Sequence, residues 1–197
     1  MIDILAYKDI VKNVCVYGLS GSVKASKYPM SVDTEQCTAD ITDRTKTLAC
    51  CPKGTGHDQF LTGIIVQFDL TLSIKAWTEA ERYHFLDFVS SQSTMHRIAE
   101  LDIDEQCNEY VTEATKREVQ RLKDIYNADK TPENYLNLLY NVPTGFRLTA
   151  RMTTNYRQLK TIYAQRKNHR LPEWRKFCGW IELLPHSEFI TGEIENG

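Results

Sequence analysis

The side chains best suited to chemistry are concentrated near the end of the chain. The segment from Val142 to Cys178 contains nine arginine and lysine residues and one acidic residue, so its net charge is +8, whereas the whole chain carries −2. The nine are Arg147, Arg151, Arg157, Lys160, Arg166, Lys167, Arg170, Arg175 and Lys176. Guanidinium groups clustered in an otherwise acidic protein are typical of a site for a phosphorylated or carboxylated small molecule. A solvated basic face would give the same charge pattern.

Sequence motifs for a nucleophile, a phosphate loop or a metal are missing. The glycine-rich segment Pro52-Lys53-Gly54-Thr55-Gly56 lacks the terminal Gly-Lys-Ser/Thr of a phosphate-binding loop. The cysteines and the histidine around it do not have zinc-ligand spacing, so we expect no metal; they are Cys37, Cys50, Cys51 and His57. An enzyme with this sequence would therefore use a cofactor for the difficult chemistry.

The composition is that of an ordinary globular protein. The chain has 197 residues, of which 42% are hydrophobic and 25% charged, which excludes a disordered or collagen-like chain. There is no run of eighteen apolar residues, so we expect no membrane span. Asp3 lies where a signal peptide would be basic, so we expect a cytoplasmic protein whose six cysteines are reduced.

The elements that must position the basic residues alternate between strands and helices. Residues 1–20 predict short strands, and 64–74 predict a strand with apolar residues on one face. Thr78 and Glu81 form a capping-box pattern that predicts a helix continuing through Val89. Further helices are predicted over 105–127, from Pro132 to the residue before Val142, over 155–167 with Thr153 or Thr154 as its cap, and from Pro172 onward. A half-polar strand is predicted between Phe146 and Met152.

This pattern predicts one α+β domain over residues 1–197, with a long loop region at 20–56 that holds at most one short helix and a flexible tail at 187–197.

A set of short motifs resembles the flavin-dependent thymidylate synthases, the ThyX family. The set covers most of residues 14–184: Gly56-His57, Arg82, Ser90-Ser91-Gln92-Ser93, Val142-Pro143, Asn155-x-Arg157-x-Leu159, Arg166, and Leu171-Pro172-Glu173-Trp174-Arg175. The family's Arg-His-Arg is replaced by Arg82-Tyr83-His84, and its acidic residue before the serine is replaced by Gln92. The resemblance implies a mixed antiparallel sheet flanked by long helices, in a homotetramer whose sites lie between subunits.

The resemblance also implies an activity: methylation of dUMP to dTMP with FAD as cofactor and NADPH and methylene-tetrahydrofolate as cosubstrates, or a closely related change of a pyrimidine nucleotide. Implied flavin contacts are His57, Arg82, Asn155, Arg157 and Arg170. Implied nucleotide contacts are Arg82, Gln92, Ser93, Arg97 and Arg166, with Arg166 and Ser93 as catalytic residues. Replacing Arg166 with alanine is expected to abolish nucleotide binding and leave folding intact.

Two other functions fit the sequence. A nucleotide- or RNA-binding module without catalysis would use the basic segment together with Phe146, Tyr156, Tyr163 and Trp174, although the net charge makes nucleic acid the weaker expectation. A protein that keeps the fold for a structural role is the other. At single residues, Asn155 could be only a helix cap and Arg166 only a solvent-exposed arginine.

Overall fold

The computed structural model describes residues 7–52 and 54–192. Within them, four antiparallel strands form one sheet in the order β1-β2-β4-β3, namely β1 (Val11–Tyr17), β2 (Ile65–Ser73), β3 (Asp87–Ser91) and β4 (Arg147–Asn155). The α+β class and the antiparallel sheet are therefore confirmed. Residues 1–6, Lys53 and 193–197, which belong to the predicted strands, the glycine-rich segment and the tail, lie outside the described residues.

Strand β2 is the centre of the core, as its alternating sequence predicts. Val66, Phe68, Leu70 and Leu72 are fully buried on one face, while Gln67 and Asp69 lie on the other. β4 pairs with it in continuous register from Ile65 opposite Asn155 to Ser73 opposite Arg147. The buried face packs against aromatic side chains, since the Phe68 ring lies 4.7 Å from Trp180 and 5.7 Å from Phe177.

Ten α-helices occur in the described residues: α1 (Leu19–Ala25), α2 (Asp43–Cys50), α3 (Ile74–Ala80), α4 (Thr94–Arg97), α5 (Ile103–Gln106), α6 (Glu113–Ala128), α7 (Pro132–Tyr140), α8 (Tyr156–Arg166), α9 (Pro172–Ile181) and α10 (Glu188–Thr191). Helices α7, α8 and α9 confirm the predicted ones. The proline at the first position of α7 and α9 supplies a backbone angle that already suits a helix. No helix in this part of the chain is long and apolar enough to cross a membrane.

The predicted helix from Thr78 to Val89 is wrong at both ends. The Ser73 side chain accepts from the Ala76 N–H and starts α3 five residues earlier, directly after β2. Residues 87–91 instead form the edge strand β3, because β4 offers them a ladder of backbone partners that the local sequence does not reveal.

The predicted loop at 20–56 is also corrected, since it holds most of α1, all of α2 and two single 3-10 turns. Helix α2 begins with a capping box formed by Thr42 and Thr45. The predicted helix over 105–127 is split into α5 and α6, because Cys107 pairs with Phe146 and Thr112 caps a new helix. The predicted tail contains α10.

Two groups of buried side chains hold these elements together. The larger lies between the sheet and helices α8 and α9, and includes Trp174 and Phe177. The smaller joins α5, α6 and α7 to the start of β4 around Phe146 and Leu138. Helix α8 therefore lies inside the larger core, and its two ends are fixed in position.

Candidate active site at the ends of helix α8

Asn155 marks the first end of α8. Its Oδ1 accepts from the Gln158 N–H at 2.8 Å, so Asn155 is the helix cap, and Thr153 and Thr154, which were predicted to cap it, belong to β4. Its Nδ2 makes no hydrogen bond to the described residues and is not one of the buried unpaired nitrogens, so it reaches solvent. Asn155 is a cap that still has a free donor.

Arg157, in the first turn of α8, is fixed by two acceptors. Its Nε donates to Asp58 Oδ1 at 3.0 Å and its Nη1 donates to Gln59 Oε1 at 2.8 Å. The Asp58 side chain is 2% exposed and is also bound by Lys160 Nζ at 3.1 Å. Because these partners hold two of the three guanidinium nitrogens, only Nη2 remains for a ligand, and it too is outside the set of buried unpaired nitrogens.

Arg166, at the other end of α8, is held even more firmly. Nε donates to the Tyr83 hydroxyl and Nη1 donates to Glu79 Oε2, both at 2.7 Å. The guanidinium also lies 4.9 Å from the Trp174 ring and 5.5 Å from the Tyr83 ring, distances typical of cation–π contacts. The side chain is only 9% exposed, so Arg166 is not a solvent-exposed arginine.

One edge of Arg166 nevertheless faces outward. Nη2 has no hydrogen-bond partner in residues 7–52 and 54–192, and it is not one of the buried unpaired nitrogens, which are Arg147 Nε and Trp174 Nε1. Two guanidinium nitrogens of Arg166 are held, the group stacks between two rings, and the third nitrogen is open. An arginine in this state is preorganised to donate to a carbonyl or an anion.

Two titratable groups next to Arg166 have shifted pKa values. Burial raises the pKa of Glu79, but the facing charges of His169 when protonated, of Arg166 and of Lys75 outweigh burial and bring the pKa below its ordinary value. Burial and the charge of Arg166 lower the pKa of His169, and Glu79 only partly offsets this effect. Glu79 is therefore ionised and His169 is mostly neutral at neutral pH.

The other predicted site residues lie outside α8. His57, Arg82 and Arg170 are exposed at turns or loops. Each is next in the chain to a residue that contacts Arg157 or Arg166, namely Asp58, Tyr83 and His169. Gln92 continues the β3–β4 pairing through Thr149, Ser93 precedes α4, and Arg97 pairs with Glu100 at 2.8 Å.

A pocket of about 220 Å³ lies between α3 and the ends of β3 and β4. Trp77, Phe88 and Leu148 form its apolar wall, with Glu81 and Gln92 as polar groups. Among the predicted site residues only Gln92 lines it.

The partners of the two arginines could not be found from the sequence. Glu79 is 87 residues from Arg166, and Asp58 is 99 residues from Arg157. The RNA-binding alternative loses its main support, because Phe146, Tyr156 and Trp174 are fully buried and Tyr163 nearly so, and buried rings cannot stack on bases.

Comparison with solved structures decides the fold. The flavin-dependent thymidylate synthase ThyX from Helicobacter pylori, complexed with FAD and dUMP, superposes with a TM-score of 0.72 at 16% identity, over 92% of this chain and 99% of that chain. The chain has the ThyX fold. A second structure of the same enzyme with FAD and dUMP gives a TM-score of 0.71 at 16% identity, over 92% of this chain and 98% of the other.

The ThyX fold is also shared by the UMP/dUMP methylase PolB from Streptomyces cacaoi, bound with 5-Br dUMP, at a TM-score of 0.64 and 14% identity over 92% of this chain and 96% of that chain. No family model and no curated protein sequence matches the chain. The similarity to ThyX is thus one of fold, at low sequence identity.

Proposed function

We propose that this protein methylates dUMP to dTMP with FAD, NADPH and methylene-tetrahydrofolate, or performs a closely related one-carbon modification of a pyrimidine nucleotide. The observation that carries the proposal is the ThyX fold over nearly the whole length of an enzyme crystallised with FAD and dUMP. The second methylase with this fold was crystallised with a brominated dUMP, which supports the same substrate class.

The free donors at the two ends of α8 fit these ligands. Asn155 Nδ2 and Arg157 Nη2 both belong to the first turn of the helix, where they would donate to carbonyl or phosphate oxygens of the flavin cofactor. The open edge of Arg166 would donate to the pyrimidine. The 11 residues of α8 separate the two ends by about 16 Å, a span that accommodates a long cofactor beside a second ligand. Bound flavin would supply the hydride and carry the one-carbon unit.

We propose a homotetramer whose sites lie between subunits, in which Gln92, Ser93 and Arg97 approach the ends of α8 from a neighbouring copy. Three large apolar side chains around the edge strand β3 are half exposed or more: Phe85 at 61%, Phe88 at 50% and Val89 at 58%. Exposed apolar groups at a sheet edge are typical of a surface that another chain covers.

The test is the visible spectrum of the purified full-length protein, followed by titration with dUMP. We expect a flavin spectrum after purification or after addition of FAD, a change in that spectrum on adding dUMP, and NADPH oxidation whose rate depends on dUMP. A colourless protein that takes up no FAD would refute the proposal. Flavin binding without any response to dUMP would instead favour a protein that keeps the fold for a non-catalytic role.

A further inference from the structure

Three side chains lie close to the carboxylate of Glu79. Arg166 Nη1 lies 2.7 Å and His169 Nε2 lies 3.2 Å from the same oxygen, Oε2. Lys75 Nζ lies 3.5 Å from the other oxygen. Arg166 Nη1 also lies 2.7 Å from His169 Nε2, and because a guanidinium can only donate, Nε2 accepts this hydrogen bond.

The His169 ring also faces a donor on its other side. The backbone N–H of Leu171 lies 3.2 Å from Nδ1. A neutral ring cannot accept at both nitrogens, and the shorter, charge-assisted contact with Arg166 places the ring proton on Nδ1. In that tautomer Nε2 accepts from Arg166 Nη1. Neutral His169, in the loop before α9, thus helps Glu79 to hold Arg166.

Protonation of His169 would disturb this arrangement in two ways. The new proton on Nε2 would face Arg166 Nη1 and remove the hydrogen bond between the two side chains. The imidazolium would also bind Oε2 more strongly and would repel the adjacent guanidinium. Arg166 would then lose its share of Glu79.

We propose that Glu79 and neutral His169 are positioning residues that direct the free Nη2 edge of Arg166, and that protonation of His169 releases this edge. The proposal rests on the proposed function in one respect, namely that a nucleotide uses the edge.

The surroundings of His169 favour the neutral ring. The facing groups are Arg166 on α8, Glu79 and Lys75 on α3, Arg170 in the loop and Arg175 on α9. Arg175 Nη1 donates to the carbonyl oxygen of His169. It also donates to the carbonyl oxygen of Arg170, at 2.9 Å. Burial, followed by the charge of Arg166, lowers the pKa of His169; Arg175 and Arg170 add to this effect and Glu79 partly offsets it. Release of Arg166 therefore occurs on the acidic side of neutrality.

The first test needs no nucleotide. Nitrogen NMR of the full-length protein reports the His169 tautomer, and the hydrogen-exchange protection factor of the Arg166 Nε–H reports how firmly the guanidinium is held. We expect the Nδ1–H tautomer at pH 8. We also expect a protection factor that falls about tenfold as His169 is protonated, the effect of losing one charge-assisted hydrogen bond. An Nε2–H tautomer, or protection that does not follow the His169 titration, would overturn the proposal.

The second test measures the dUMP dissociation constant of FAD-loaded protein between pH 8 and pH 5.5. The nucleotide phosphate titrates near pH 6, so wild type is compared with His169→Gln, which presents an amide that cannot be protonated. We expect the constant of wild type to rise about tenfold more than that of His169→Gln. Glu79→Gln should bind dUMP about tenfold more weakly than wild type at pH 8. Its dissociation constant should then change with pH no more than that of His169→Gln.

His84→Gln serves as the matched control, because His84 is exposed and makes no recorded contact within the described residues. It should keep the wild-type pH profile. Equal profiles for wild type and His169→Gln would overturn the proposal. Absence of dUMP binding at every pH would refute the proposed function, whereas the NMR measurement would still decide the positioning role.

Discussion

Asn155 combines a structural contact and a free donor in one side chain. Its Oδ1 caps α8 through the Gln158 N–H, and its Nδ2 faces outward. Aspartate and asparagine are equally good caps, but aspartate has no amide donor and adds a negative charge. The two roles of Asn155 can therefore be separated by substitution.

Asn155→Asp should keep the stability of wild type to within about 0.5 kcal/mol and should bind FAD at least tenfold more weakly, because one charge-assisted hydrogen bond is lost. Asn155→Ala should lose about 1 kcal/mol as well, since the cap is gone. Urea denaturation and fluorescence titration with FAD measure the two effects. Undiminished FAD affinity in Asn155→Asp would show that the amide does not contact the cofactor.

Arg166 contributes to stability as well as to the proposed site. Removing its side chain leaves Glu79, which is 14% exposed, without its main partner and removes two ring contacts. The expectation that Arg166→Ala leaves folding intact is therefore replaced by a predicted loss of about 3 kcal/mol in unfolding free energy. Arg166→Lys should lose less, because it keeps a positive charge near Glu79. Equal stability of Arg166→Ala and wild type, measured by urea denaturation, would contradict the buried network.

Single residues also show what a sequence can reveal about a site. Asn155, Arg157 and Arg166 were predicted because their spacing is local and matches a family motif. Glu79, His169, Asp58 and Lys160 were missed because their contacts with those residues depend on the packing of distant elements or on a loop conformation.

At the scale of elements, Lys160 joins α8 to the end of α2. Its Nζ donates to the carbonyl oxygens of Ala49 at 2.6 Å and Cys51 at 2.7 Å, and also to Asp58. These contacts satisfy carbonyl groups that the end of a helix leaves without partners. Helix α9 is joined to the end of β2 in a comparable way, because the Glu173 carboxylate accepts from the Ser73 N–H at 2.7 Å.

Asp58→Ala should therefore loosen α2 and the head of α8 together. We expect a loss of about 3 kcal/mol, because the buried carboxylate has two cationic partners. Asp69→Ala is the matched control, since Asp69 also pairs with an arginine but its side chain is 26% exposed, and it should lose about 1 kcal/mol or less. Chemical denaturation of both variants measures whether Asp58→Ala loses more unfolding free energy than Asp69→Ala. Equal losses would refute the role assigned to the buried carboxylate.

The elements that the sequence predicted well are those whose burial pattern is regular. Strand β2 alternates along its length, and α7 and α9 begin at prolines. The sequence of β3 does not predict a strand, because all five of its residues are exposed and buried and exposed residues do not alternate along it. Its pairing with β4 decides its conformation, and that pairing is not local.

At the scale of the whole molecule, the exposed apolar side chains around β3 favour assembly. We expect four copies by light scattering, and we expect Val89→Lys to reduce the assembly, because a charge would be buried at the covered edge of β3. Tyr140→Lys is the control, since Tyr140 is 82% exposed on α7, away from that edge. A monomeric wild-type protein, or an unchanged oligomer in Val89→Lys, would contradict this arrangement.

The most direct measurement of the central claim is mass analysis of the nucleotide after incubation of the FAD-loaded protein with dUMP, methylene-tetrahydrofolate and NADPH. The account predicts a nucleotide that has gained a one-carbon group, with Arg166→Lys far slower than wild type. Complete recovery of unmodified dUMP, from wild-type protein that neither retains FAD nor binds the nucleotide, would contradict it.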